Sequence, residues 1–119
     1  MKNVLYIEDH EDTAKAVKRM LKKAGFETDI ALSGEEGIRK AKKHYDLILL
    51  DIMLPDMSGW DLFNTLKKKK TNKTKYAFLS VIPVSIERAK ELKKAGVADY
   101  IMKPFENKDL INRVKKLLI

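Results

Sequence analysis

The chain contains no cysteine, which excludes disulfides, thiolate metal sites and cysteine nucleophiles. No apolar run approaches the roughly 18 consecutive residues that a membrane-spanning helix needs. The opening Met1-Lys2-Asn3 leads straight into a short apolar stretch rather than a secretory signal. Repeats and low-complexity linkers are also absent. The expectation is a soluble, cytoplasmic protein that makes no membrane contact. Its 119 residues suit a single domain spanning 1–119. A chain of that size buries roughly two-thirds of its unfolded surface, so no covalent staples are needed. With 45% hydrophobic and 35% charged residues, the composition is globular rather than disordered.

Basic residues number 25 and acidic residues 17, a net charge of +8. Such a balance can mark a nucleic-acid partner. The placement argues against one. Lysines fall in short blocks, Lys22-Lys23, Lys42-Lys43, Lys67 to Lys70 and Lys115-Lys116, at the ends of expected helices. There they complement the helix dipole and solvate the outer surface.

Strand and helix patterns alternate five times. Val4 to Ile7 is a short apolar run typical of a strand buried on both faces. Ala14, Val17, Leu21 and Ala24 then recur at helical spacing up to Gly25. Phe26 to Leu32 reads as an edge strand, and Ser33 with Glu36 forms a capping box opening a helix through Ile38 and Ala41. Leu47 to Leu50 is the most apolar run and the expected central strand. A loop from Asp51 to Ser58 closes at Gly59, and Leu62, Phe63 and Leu66 mark a third helix that ends in lysines and the polar Thr71 to Thr74. Tyr76 to Val81 reads as the fourth strand. Ala89, Leu92 and Ala95 lie on a fourth helix ending at Gly96, Ala98 to Met102 form a fifth strand, and Leu110, Val114 and Leu117 face inward from a last helix. Five such units imply an α/β protein: a doubly wound, five-stranded parallel sheet of order 2-1-3-4-5. Ligands of such sheets bind beyond the carboxyl ends of the strands.

Those ends carry Glu8-Asp9, Asp51, Ser80 and Lys103-Pro104, whereas the edge strand ends in Ala31-Leu32-Ser33. Three carboxylates aimed at one crevice repel one another, and a hard divalent cation such as Mg2+ resolves the conflict through oxygen ligands. Lys103 offers a point charge for an anionic oxygen, Ser80 offers a small hydroxyl donor, and Pro104 aims the lysine through a fixed turn. Together they fit phosphoryl transfer to a carboxylate.

In this order the pieces resemble the receiver domain of two-component response regulators, over essentially the whole chain. The matching residues are Glu8-Asp9, Asp51 to Pro55 with Ser58-Gly59, Ser80, Ala95-Gly96, and Tyr100 ahead of Lys103-Pro104-Phe105. The resemblance implies a flavodoxin-like (βα)5 fold and a phosphoacceptor at Asp51, served by a sensor histidine kinase. It implies Mg2+ held by Asp9, Asp51 and the Met53 carbonyl, with Glu8 acting through water. Lys103 would bridge a phosphoryl oxygen, Ser80 would move to another, and Tyr100 would swing inward with it. The fourth helix, fifth strand and fifth helix would meet an output or phosphotransfer protein, as a monomer or as a phosphorylation-dependent dimer. Such a domain is not a dedicated enzyme, although it catalyses its own phosphorylation and hydrolysis.

Three departures from the family pattern stand out. Val81 and Ile82 follow Ser80 where receivers carry a small residue, implying slow phosphorylation, slow dephosphorylation or both. Pro83 and one apparent extra residue before Gly96 imply an irregular start to the fourth helix, and Ser80 stands in for the commoner threonine. The alternative reading is a pseudo-receiver, a protein-binding module independent of phosphorylation. A flavodoxin-like phosphate-ester binder is disfavoured, because the first strand's loop, Glu8 to Asp12, repels phosphate. His10 reads as an exposed loop residue and Trp60 as a partly packed aromatic. Over these 119 residues a stand-alone receiver and one from a longer regulator read alike.

Overall fold

The computed structural model describes residues 1–69 and 73–119; of the expected helix-ending segment, Lys70, Thr71 and Asn72 lie outside the described residues. Five strands alternate with five helices: β1 (Asn3–Ile7), α1 (Glu11–Lys23), β2 (Glu27–Ala31), α2 (Gly34–Lys40), β3 (Leu47–Leu50), α3 (Gly59–Lys69), β4 (Lys75–Ser80), α4 (Ile86–Ala95), β5 (Val97–Met102) and α5 (Asn107–Leu117). All strand pairs are parallel and the order is β2-β1-β3-β4-β5, the order expected from the alternation. No helix among the described residues is long and apolar enough to cross a membrane.

The sheet is covered on both faces, which explains why its central strands are apolar throughout. Val4, Tyr6, Leu47, Leu49, Ala77 and Leu79 point to one face and meet Val17 and Leu21 of α1 and Leu110 and Val114 of α5. Leu5, Ile7, Ile48, Leu50, Tyr76 and Phe78 point to the other and meet Leu62, Phe63 and Leu66 of α3 and Leu92 of α4. Alternation by two thus sorts each strand between two cores. The last strand breaks that rhythm. Tyr76 pairs with Val97, but Ala77 pairs with Asp99, so the register steps at Ala98. As a result Val97 and Tyr100 pack with one core although three residues apart, and Ile101 packs with the other.

Local chemistry sets the ends of the elements. The Ser33 hydroxyl accepts the Glu36 N–H at 3.1 Å, as the capping box predicts, and the Glu36 carboxylate reaches one residue further back, to the Leu32 N–H at 2.9 Å. At α4 the expected irregularity is confined to the connection before it. The helix itself starts cleanly, with Ser85 accepting the Arg88 N–H at 3.1 Å. Gly96 closes α4 at φ 106°, a left-handed conformation that suits glycine. Strand boundaries shift by a residue from the sequence reading. β4 begins at Lys75 and ends at Ser80, leaving Val81 outside it and exposed, while β2 loses Phe26 and Leu32.

The loop between β3 and α3 doubles back on itself. Gly59 N–H bonds the Ile52 carbonyl at 2.6 Å, and Met53 bridges Ser58. A β-carbon on Gly59 would meet the Ile52 α-carbon at 2.7 Å, with the Asp51 carbonyl closer still. Here glycine is required by close approach rather than by its dihedral angles. Gly59→Ala is expected to lower unfolding free energy by about 1–3 kcal/mol, the usual cost of forced overpacking, as measured by urea denaturation.

Candidate functional site

Site residues continue the strand ladders by one step, so the sheet itself holds their backbones. Glu8 N–H bonds the Ala31 carbonyl at 2.9 Å, Asp51 N–H the Ile7 carbonyl at 3.0 Å, and Lys103 N–H the Ser80 carbonyl at 2.8 Å. The structure therefore brings Glu8, Asp9, Asp51, Ser80 and Lys103 to one edge, as the strand ends implied. The peptide bond between Lys103 and Pro104 is cis.

Oxygens from Glu8, Asp9 and Asp51 lie within 4.8 Å of one another. They differ in depth: Glu8 is buried, Asp51 is half-buried and Asp9 is exposed. An all-oxygen donor set open to water on one side suits a hard divalent cation that keeps several waters. The Lys103 ammonium donates to Glu8 Oε1 and sits 3.3 Å from Asp51 Oδ2. Asp51 Oδ1 accepts the Met53 N–H at 3.2 Å, which holds Met53 beside the Asp51 carboxylate.

Burial and charge act on the two inner carboxyls in opposite directions. Burial alone would push the Glu8 carboxyl up, but Lys103, the His10 N–H and the Tyr6 hydroxyl outweigh it and hold Glu8 below the ordinary glutamate range. For Asp51 burial prevails; Lys103 pulls back only part of it while Glu8 adds to the rise, so the carboxyl stays above the ordinary aspartate range. The difference follows from Lys103 standing closer to Glu8 than to Asp51, and from the His10 N–H and Tyr6 hydroxyl that Glu8 also accepts.

Ser80 is fully buried, and its Oγ accepts the Ile82 N–H at 3.2 Å. Tyr100 donates its hydroxyl to the Ile82 carbonyl and packs its ring 6.1 Å from Phe78. The two switch candidates therefore grip the same residue of the loop between β4 and α4, Ser80 at its N–H and Tyr100 at its carbonyl. Val81, between Ser80 and Ile82, is 63% exposed. Trp60, expected to be partly packed, lies against Phe78 with ring centroids 4.5 Å apart and planes tilted by 47°, and the Arg88 guanidinium sits over its ring. His10 is exposed and precedes α1, contributing only its backbone N–H, at 3.2 Å from Glu8 Oε2.

Two polar residues near the site were not singled out from sequence. Tyr6, fully buried, donates its hydroxyl to Glu8 Oε1 at 2.9 Å. Its position two residues before Glu8 on a strand places both side chains on one face, and that was the available signal. Asp56 accepts the N–H groups of Gly34 and Glu35, each at 2.9 Å, and these bonds hold its carboxyl below the usual range. It ties the loop between β3 and α3 to α2 across 21 and 22 residues of sequence, which no local pattern reveals.

Residues 4–115 match the response regulator receiver domain family. The transcriptional regulatory protein CusR of Escherichia coli is 38% identical over 116 residues, 97% of this chain and 50% of CusR. The cell cycle transcriptional regulator CtrA of Caulobacter vibrioides is 40% identical over 114 residues, 93% of this chain and 48% of CtrA. The chain thus spans about half the length of these curated relatives. Among solved structures, a CheY-like receiver domain protein of Methanospirillum hungatei JF-1 superposes with a TM-score of 0.89 at 31% identity, covering 99% of this chain and 94% of that one. The response regulator TrrA of Thermotoga maritima, solved with Mg2+ and BeF, gives 0.83 at 31% identity, covering 99% of this chain and all of the other. A family match over nearly the full length, on a sheet whose edge gathers the acidic cluster and the lysine, assigns the chain: it belongs to the response regulator receiver domain family of two-component signalling.

Proposed function

We propose that Asp51 is the phosphoacceptor of this receiver and that residues 1–119 form one phosphorylatable switch. The observation that carries the reading is the Lys103 ammonium, 3.3 Å from Asp51 Oδ2 on the wall of a three-carboxylate cluster. In the transfer, an Asp51 oxygen attacks the phosphorus of a phosphohistidine on a sensor histidine kinase. The new P–O bond forms as the P–N bond breaks, and its electron pair leaves with the imidazole nitrogen. Hydrolysis later returns Asp51 and inorganic phosphate, so the domain is a switch rather than a dedicated enzyme.

Asp9 and Asp51, with the Met53 carbonyl, would hold Mg2+, and Glu8 would reach it through water. Bound there, the ion would offset charge on the transferring phosphoryl oxygens. The depth order of the carboxylates supports this division, since Glu8 is already occupied by protein donors and Asp9 faces solvent. Lys103 pairs with one phosphoryl oxygen and Ser80 donates to another. The serine can do so while still accepting from Ile82, because a hydroxyl both donates and accepts. A pull on Ser80 is then felt by Tyr100 both directly and through their shared partner, Ile82. Readout falls to α4, β5 and α5, facing an output or phosphotransfer protein in the cytoplasm, as a monomer or as a phosphorylation-dependent dimer. Among the described residues, Leu92 is the one buried side chain of α4, so that helix is lightly anchored and suited to shift.

Incubation with acetyl phosphate and Mg2+ is expected to add a single phosphoryl group, seen by intact mass. Chelator or Asp51→Asn abolishes the adduct. A folded protein that gains none with Mg2+ bound would instead be the phosphorylation-independent binding module.

A second prediction concerns pH. Folding raises the Asp51 pKa, so its contribution to stability is present below the unfolded value and is lost as pH rises through the folded one. Glu8, held low, runs the other way: its contribution is present above the unfolded value and is lost as pH falls through the folded one. In metal-free buffer at pH 7, Asp51→Asn is therefore expected to melt higher than the parent protein, by about 2–5 °C. That advantage shrinks as pH falls through the aspartate range, as followed by thermal melts.

A further inference from the structure

We propose that Tyr6 is a positioning residue for phosphoryl transfer: its buried hydroxyl keeps the Glu8 carboxylate satisfied while Lys103 turns from Glu8 to a phosphoryl oxygen. The inference rests on Asp51 being the acceptor and adds a residue that touches neither substrate nor cation.

Tyr6 is fully buried on the face of β1 that packs against α1 and α5, among Val17, Leu21 and Leu110. A purely apolar side chain would fill that place, so the hydroxyl is the unusual part. It donates to Glu8 Oε1 at 2.9 Å, and the same oxygen receives the Lys103 ammonium. The other oxygen, Oε2, accepts the His10 N–H at 3.2 Å. With Glu8 2% exposed, water cannot readily replace a donor that leaves.

Lys103 spans the two carboxylates, and phosphorylation adds negative charge on the Asp51 side alone. The lysine is therefore drawn towards the phosphoryl group and away from Glu8 Oε1. Without Tyr6 that oxygen would be left buried and bare, a cost that resists the handover. With Tyr6 it keeps a donor already in place, on a ring that cannot drift. The hydroxyl thus favours the state in which Lys103 has moved. It should matter little for cation binding, which Asp9 and Asp51 dominate.

The test titrates the 119-residue protein by calorimetry, first with Mg2+ and then with beryllofluoride at saturating Mg2+, the latter standing in for the phosphoryl group. Tyr6→Phe is expected to weaken beryllofluoride binding about tenfold, the loss of one hydrogen bond to a charged group. Its Mg2+ affinity should stay within about twofold. In a Glu8→Gln background the same substitution should cost no beryllofluoride affinity, because Lys103 then leaves no charged partner behind when it turns. Equal beryllofluoride binding by Tyr6→Phe and the parent protein would overturn the proposal. So would a parallel loss of both ligands, or a loss that persists with Glu8→Gln. If Tyr6→Phe alone is too unstable to assay, Glu8→Gln and the double variant must bind beryllofluoride equally, and inequality overturns it. If Glu8→Gln binds none, the ratio of the two affinities in the single variant decides. A parent protein that binds Mg2+ but no beryllofluoride overturns the acceptor reading itself, and this inference with it.

Discussion

Three carboxylates gathered at the edge of one sheet repel one another, and the Lys103 ammonium is the counter-charge that makes the gathering tolerable. Its side chain is 15% exposed, so it acts where water screens little and a lost partner would be costly. It is shared unequally, with Glu8 the nearer and Asp51 the farther carboxylate. That inequality leaves the Asp51 carboxyl the less neutralised of the two by the protein.

The whole molecule is laid out around the same electrostatic polarity. Each of the five described helices carries an acidic residue in its first turn and basic residues in its last, from Glu11 and Asp12 against Lys22 and Lys23 in α1 to Asp109 against Lys115 and Lys116 in α5. Because the strands are parallel, every helix runs back the same way. The acidic first turns therefore collect at the carboxyl edge of the sheet and the lysines at the far end. Each pairing suits its own helix dipole. The topology converts five local preferences into a protein whose site end carries the acids and whose opposite end carries much of the +8 charge.

Much of this was legible in the chain. Apolar runs as dense as Leu47 to Leu50 occur where a strand is covered twice, and short alternating units of this kind admit few topologies. The strand order then converted a linear list of polar residues into a single edge. Legibility failed where partners lie far apart in sequence or where a pattern is interrupted. The step at Ala98 broke the two-residue rhythm, so Val97 was left out of the fifth strand although it is buried. Asp56 looked like a loop residue until α2 was placed beside it, and Tyr6 looked like another core residue until its hydroxyl was seen against Glu8.

By itself the sequence determined which segments are strands, in what order they wind, and which residues stand at their ends, because backbone periodicity and burial are local and additive. Tertiary structure alone decided how those residues share charge. The register step in β5 places Met102 opposite Ser80 and so brings the Lys103 N–H to the Ser80 carbonyl; an unbroken register would put Ile101 there and move the lysine out of phase. Depth separates Glu8 from Asp9, although they are neighbours in the chain. Both outcomes depend on distances between strands, which are set by packing from both faces and are not encoded in any one stretch of sequence.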